Sequence, residues 1–282
     1  MIEGRFPAMG TQVVVVAPRP DSVDAVLARF VEVERTCSRF LPDSELSRVN
    51  KDSATSIILL PLLAEVMACA DDLRHRTEGL VDPAMGGHVE AWGYDRTFAE
   101  VTGLATSPIP VPKGDWEIQG HDLHRTPGTR LDLGGIAKGW TCDRAVEQTE
   151  ALVVNAGGDL RSADPGLTVT VEDPWGNAAA EVDLGLGGLA TSTIAHRAWK
   201  VGSGWANHLI DPRTLRPAEG PVVSATAVAT TAVEAEAAAK AVLLLGEEGL
   251  GWASRQPWIR GALVVWRDGR VFATTGLRVR AA

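Results

Sequence analysis

Leu131-Asp132-Leu133-Gly134-Gly135-Ile136-Ala137-Lys138-Gly139 reads as a short apolar strand, a glycine turn and the opening of a helix. The helix extends over about 137–149. It is followed by a short apolar strand at 151–155 and a second glycine turn, Ala156-Gly157-Gly158-Asp159. Glycines between a strand and a helix let backbone N–H groups approach an anion, and the helix N-terminus adds partial positive charge. Lys138 adds a full one. The spacing is neither G-x-x-x-x-G-K-[ST] nor G-x-G-x-x-G, so the common nucleotide-loop readings fail. A tight strand–helix turn explains the segment equally well.

Working outward, Thr11 to Ala17 is a β-branched run that predicts a buried strand. Val23, Val26, Leu27, Phe30 and Val31 recur at helical spacing over 21–34. A second helix is expected over 61–78, with Gly79 at its C′ position. Residues 103–128 are rich in Pro and Gly and predict short strands in a surface excursion. Strands are expected at about 167–171, 187–191 and 222–229, and a helix over 231–245 stopping at Gly246. A closing hairpin, 261–266 with 270–275, turns through Asp268-Gly269. Strands and helices do not alternate strictly, which favours an α+β fold with mixed sheets and packed helices.

The 282 residues suffice for one large domain or two intimately packed lobes, and 1–282 is expected to form a single domain. The net charge of −9 and the lack of a basic face argue against nucleic acid as a partner. No run of about 18 apolar residues predicts a membrane span. Cys37, Cys69 and Cys142 are too few and too scattered for a disulfide framework or a zinc site, so buried thiols are expected. With no signal peptide legible at the N-terminus, a cytoplasmic location is expected.

Two further segments place a carboxylate before proline, where the backbone is forced extended: Gly79-Leu80-Val81-Asp82-Pro83 and His208-Leu209-Ile210-Asp211-Pro212. Either is compatible with an ordinary turn. His208 is a candidate general base, although a lone histidine is more often structural. Glu236 and Lys240 lie four apart on one helix face. At a surface such a pair is worth about 0.2–0.5 kcal/mol.

Taken in order, these pieces resemble the FAD:protein FMN transferases, the ApbE-type flavin transferase family. The resemblance runs from Met9-Gly10-Thr11 through SRFLPDSELSRVN (38–50), GLVDP (79–83), Trp92-Gly93, LDLGGIAKG (131–139), NAGGD (155–159), Thr191-Ser192 and HLIDPRT (208–214) to Gly246. It implies a flavin transferase fold with a cofactor cleft between two lobes. Met9, Phe40, Leu80, Val81, Asp82, Asp132, Lys138 and Ile210 would line the FAD pocket, with the Phe40 ring on the flavin. His208 would act as base or orient the acceptor hydroxyl. FMN would pass from FAD to a Ser or Thr of a partner protein, and AMP would leave.

The resemblance also implies a Mg²⁺ site made by the Gly135 carbonyl and by the positions of Glu236 and Lys240. There the family has Asp and Thr. Glutamate keeps an oxygen ligand, but an ammonium has no lone pair to give. An alternative therefore stands beside the transferase: an FAD-binding protein whose catalysis is lost or altered by Lys240. Thr193 and Leu215 also depart from the family, which has glycine at both positions.

Overall fold

The computed structural model describes residues 1–106, 108 and 111–280. The chain divides into two compact units. One comprises Met1–Val31, Lys138–His196 and the residues from Glu219 onward; the other comprises Glu32–Ala137 and Arg197–Ala218.

The first unit is built on an eight-stranded sheet: β1 (Ile2–Ala8), β2 (Thr11–Ala17), β3 (Val153–Ala156), β4 (Asp159–Ser162), β5 (Gly187–Thr193), β6 (Val222–Ala229), β7 (Ile259–Trp266) and β8 (Val271–Ala273). Each strand pairs antiparallel with the next in chain order. Strand alternation sends Val13, Val15 and Ala17 to one face. There they pack on Val26 and Phe30 of α1 (Pro20–Cys37) and on Cys142 and Ala145 of α2 (Ala137–Gln148). Leu160, Leu189, Val228 and Leu263 face the other way. They meet Val171 and Val182 of a three-stranded antiparallel sheet made by Thr168–Glu172, Ala178–Asp183 and Val279–Arg280. Every residue of β6 is buried, which is why its sequence is a continuous small-apolar run rather than an alternating one.

The third helix of this unit, α3 (Ala232–Leu245), starts with a capping box between Thr231 and Glu234. Asp143 of α2 adds two bonds, accepting from Ala232 N–H at 2.8 Å and Val233 N–H at 3.0 Å. The helices meet closely because the contact residues are small. A Cβ on Gly139 would lie 2.7 Å from Val233 Cα.

The second unit carries the helices Glu45–Lys51, Pro61–Arg76 and Gly86–Ala91. Its sheet is three-stranded, with Ser56–Ile58 and Trp116–Gln119 flanking Asp122–Arg125. Two hairpins follow, Ala198–Val201 with Gly204–Asn207 and Ile210–Asp211 with Arg216–Pro217. The helix at 61–76 ends in a Schellman motif. Gly79 N–H reaches Arg74 C=O at 2.8 Å, and Glu78 N–H reaches His75 C=O at 3.1 Å. The left-handed C′ residue is therefore Glu78, at φ 53°, with Gly79 one position beyond.

Residues 131–133, expected as a strand, pair with no strand among the described residues. The Asn50 side chain serves both backbone groups of Leu131, donating to its C=O and accepting from its N–H at 2.8 Å each. Within the expected excursion at 103–128, strands form at 116–119 and 122–125. Residues 107, 109 and 110 of that segment lie outside the described residues. No helix among the described residues is long and apolar enough to cross a membrane.

Candidate functional site

In the first unit four charged side chains meet at the start of α2. Lys138, in the first turn of α2, bonds Asp159 at the opening of β4 and Glu236 Oε1 of α3 at 2.9 Å. One turn along α3, Lys240 bonds the same Glu236 Oε1 at 3.0 Å. Glu236 Oε2 accepts the Gly139 backbone N–H at 3.0 Å. The Glu236 side chain is 0% exposed, while those of Lys138 and Lys240 are 14% and 15% exposed. The surface ion pair expected from spacing alone is thus a buried one. Helix periodicity brings Glu236 and Lys240 together, and the small residues of α2 and α3 bring Lys138 to them.

Burial alone would lift the Glu236 carboxyl. Lys138 and then Lys240 outweigh it and hold the group down to about 2. Burial would likewise depress Lys138, but Asp159 and Glu236 keep it above the ordinary lysine value. Asp159 is raised, by burial and then by repulsion from Glu236. The four groups are two cations against two anions, a formally neutral set.

Met9 also belongs to the first unit. With Gly10 it forms the turn between β1 and β2, both at positive φ, 49° and 67°. That is the signature of a hairpin turn of type I′. Its side chain packs on the core shared with α1 and α2.

In the second unit Phe40, Tyr94 and Trp199 form an aromatic group, with ring centroids 5.4 and 5.7 Å apart along the series. Arg39 lies against it, its guanidinium carbon 4.1 Å from the Phe40 centroid and 4.8 Å from that of Tyr94. Its side chain is 3% exposed, and its Nε donates to Asp132 Oδ2 at 2.8 Å. Nη1 and Nη2 are buried without hydrogen-bond partners among the described residues. Burial pushes the Asp132 carboxyl up. Arg39, the Gly134 N–H and the nearby His208 together outweigh that and set it below the ordinary aspartate value. His208 itself is half-buried, between the two hairpins.

The remaining expected pocket residues of this unit are placed differently from one another. Leu80, Val81 and Ile210 are buried among the core residues. Asp82 caps the turn at Pro83–Met85 through Ala84 N–H at 2.9 Å and accepts from Trp116 Nε1 at 3.0 Å. It borders a cavity of about 520 Å³ with Arg74 and Lys113 on its wall. Gly135 sits half-buried in the turn before α2. Leu215, a position at which the resemblance implies glycine, adopts a left-handed φ of 59°, a conformation glycine accepts without cost and leucine does not.

The side chains at the implied metal position do not suit a divalent cation. Both oxygens of Glu236 are engaged by N–H donors, and Lys240 offers charge of the wrong sign. Among the described residues no group of three or more His, Cys, Asp or Glu side chains is placed to hold a metal ion.

Asp159, Arg39 and Tyr94 belong to these groups although the sequence marks none of them as a site residue. Asp159 was visible only as the end of a glycine turn. Arg39 and Tyr94 belong to no periodic motif. Asp159 follows a strand and two glycines, which is the one local signal that marked it.

The ApbE family model matches residues 9–263. An FAD:protein FMN transferase of Rhodobacter capsulatus is 35% identical over 284 residues, spanning 92% of this chain and 53% of that protein. Those of Haemophilus influenzae and Escherichia coli K12 are each 27% identical, over 81% and 76% of this chain and 72% and 68% of their own lengths. The chain thus spans about half the length of the first of these relatives and about seven-tenths of the others. Among solved structures, the ApbE protein of Thermotoga maritima superposes with a TM-score of 0.83 at 24% identity, covering 97% of each chain. The flavin transferase ApbE of Vibrio cholerae gives 0.78 at 24% identity, covering 98% of this chain and 97% of that one. At these identities the structural likeness establishes the fold.

Proposed function

The chain belongs to the ApbE family, and from that premise we propose that it is an FAD:protein FMN transferase, moving FMN from FAD to a Ser or Thr hydroxyl of an acceptor protein and releasing AMP. The observation that carries this reading is the 35% identity, over 92% of the chain, to a relative of that activity. Within each unit, taken by itself, there are groups whose chemistry suits a task of that reaction.

The Phe40 and Tyr94 rings, with the Arg39 guanidinium on them, offer an aromatic wall and N–H donors suited to a planar ring system edged with acceptors. Lys138, in the first turn of α2, offers an ammonium beside a helix N-terminus, which suits a pyrophosphate. His208 offers an imidazole suited to take a hydroxyl proton, and Asp132 lies near enough for the two charges to act on each other.

The chemistry balances with these groups. The acceptor hydroxyl oxygen bonds to the FMN-side phosphorus of FAD. The bond from that phosphorus to the bridging oxygen breaks, and its electron pair leaves with AMP. The hydroxyl proton passes to His208, whose imidazolium Asp132 then stabilises. No step runs through a divalent ion.

The test is to incubate the chain with FAD and a flavin-free acceptor domain, denature the mixture, and look for flavin fluorescence on the acceptor. Fluorescent acceptor with wild-type chain, and its loss with His208→Ala, is expected. FAD binding without labelled acceptor or AMP would instead favour the flavin-binding module suggested by Lys240.

A further inference from the structure

We infer that the Lys240 ammonium takes the place of the divalent cation, so that this chain holds the FAD pyrophosphate with Lys138 and Lys240 and needs no metal to do so. The inference rests on the proposed transferase reading for the identity of the ligand, and on the buried four-charge set for everything else.

Mg²⁺ requires near-octahedral oxygen coordination at about 2.0–2.1 Å. Of the two side chains at the implied site, one has no lone pair and the other already accepts three N–H bonds. Glu236 Oε1 accepts from both ammoniums, and Oε2 accepts from the Gly139 N–H. Charge leads to the same conclusion. Lys138 and Lys240 balance Asp159 and Glu236. A divalent ion entering this neutral, buried set before any anion is bound would leave it doubly positive. With a threonine at 240 the set would instead be singly negative and would attract a cation. Lysine supplies internally what the ion would otherwise bring.

The position is also held firmly. The start of α3 is fixed by Asp143 and by the Thr231 capping box. At Gly139 the backbone of α2 packs directly on that of Ala232 and Val233, with no space for a Cβ between them. Lys240 sits one turn beyond Glu236 on the same face. It donates one hydrogen bond to that carboxylate, and an ammonium has three to give. Both lysine side chains keep some exposure, so their free donors are available to phosphate oxygens. A lysine is a point charge with rotatable donors, a common partner for phosphate.

The experiment titrates FAD into wild-type, Lys240→Thr and Lys240→Met chains by flavin fluorescence, in EDTA and in MgCl₂. Calorimetry with MgCl₂ alone runs on the wild type, and AMP is measured in every sample. We expect wild-type FAD affinity to be the same in EDTA and Mg²⁺, with no heat of Mg²⁺ binding. Lys240→Met should bind FAD about 10- to 100-fold more weakly, as loss of a charged hydrogen bond implies, with no rescue by Mg²⁺. Lys240→Thr should weaken similarly in EDTA and recover in Mg²⁺. A wild type whose FAD affinity falls tenfold or more in EDTA, or which binds Mg²⁺ by itself, overturns the inference even if neither variant folds. AMP is read separately: FAD bound without metal but no AMP in any sample sinks the transferase reading and leaves the metal inference standing.

Discussion

Replacing Lys240 by methionine keeps a long apolar stem and removes only the ammonium. Two buried carboxylates, Glu236 and Asp159, would then face a single cation, Lys138. Removing one partner of a buried ion pair costs about 3–5 kcal/mol. Glu236 retains Lys138 and the Gly139 N–H, which places the expected loss at the lower end, about 3 kcal/mol. That is several times what the same pair would be worth on a surface, about 0.2–0.5 kcal/mol, so the measurement separates the two cases cleanly. At about 2–4 °C per kcal/mol for large domains, the melting temperature should fall by about 6–12 °C. Urea unfolding at neutral pH gives the free energy directly. The double variant Glu236→Gln/Lys240→Met removes one charge of each sign and should recover part of the loss, with a coupling above about 1 kcal/mol. A loss below about 1 kcal/mol for Lys240→Met, or additive single and double variants, would refute the buried four-charge set.

Three other outcomes follow from the same geometry. Burial raises the Asp143 carboxyl to about 6 in the folded chain, against the capping bonds from Ala232 and Val233. A raised acid stabilises most below its ordinary value near 4, and that contribution is lost as pH rises through about 6. The difference is roughly 3 kcal/mol, and unfolding curves of wild type and Asp143→Asn should converge or cross over that window; parallel curves would show that Asp143 is not raised. Gly139→Ala should destabilise by at least about 1–3 kcal/mol, because its Cβ would lie 2.7 Å from the Val233 backbone; an unchanged melting temperature would contradict the close α2–α3 contact. Leu215→Gly should be tolerated within about 1 kcal/mol, since relief at φ 59° offsets chain entropy and lost packing; a loss of 2 kcal/mol or more would argue against a left-handed backbone there.

Much of the scaffold is written in local pattern. Thr11–Ala17 and Val222–Ala229 announce themselves as strands by composition, and the helix at 232–245 by its Gly246 stop; its Thr231 cap is seen only in the structure. Leu131–Leu133 misleads because its partner is a side chain, Asn50, eighty-one residues away in sequence. No periodicity encodes such a pairing. The candidate site is legible to the same degree. Lys138, Glu236 and Lys240 were visible as charges near turns and on a helix face, but their burial depends on the absence of a side chain at Gly139 and on the small residues of α3. Asp159 becomes part of the set only when β4 pairs with its neighbours. Arg39 and Asp132 are ninety-three residues apart, so their pairing is a property of the fold alone. Asp82 is legible as a turn residue, and its bonds to Ala84 and Trp116 mean that Asp82→Ala perturbs packing as well as any ligand.

The most direct measurement of the central claim is the stoichiometry of FAD cleavage. The chain is incubated with FAD and an acceptor protein, and AMP and covalently attached flavin are quantified by chromatography on the same sample. The account predicts one AMP released for each FMN joined to a Ser or Thr of the acceptor, with or without a chelator. FAD recovered intact beside an unlabelled acceptor would contradict it.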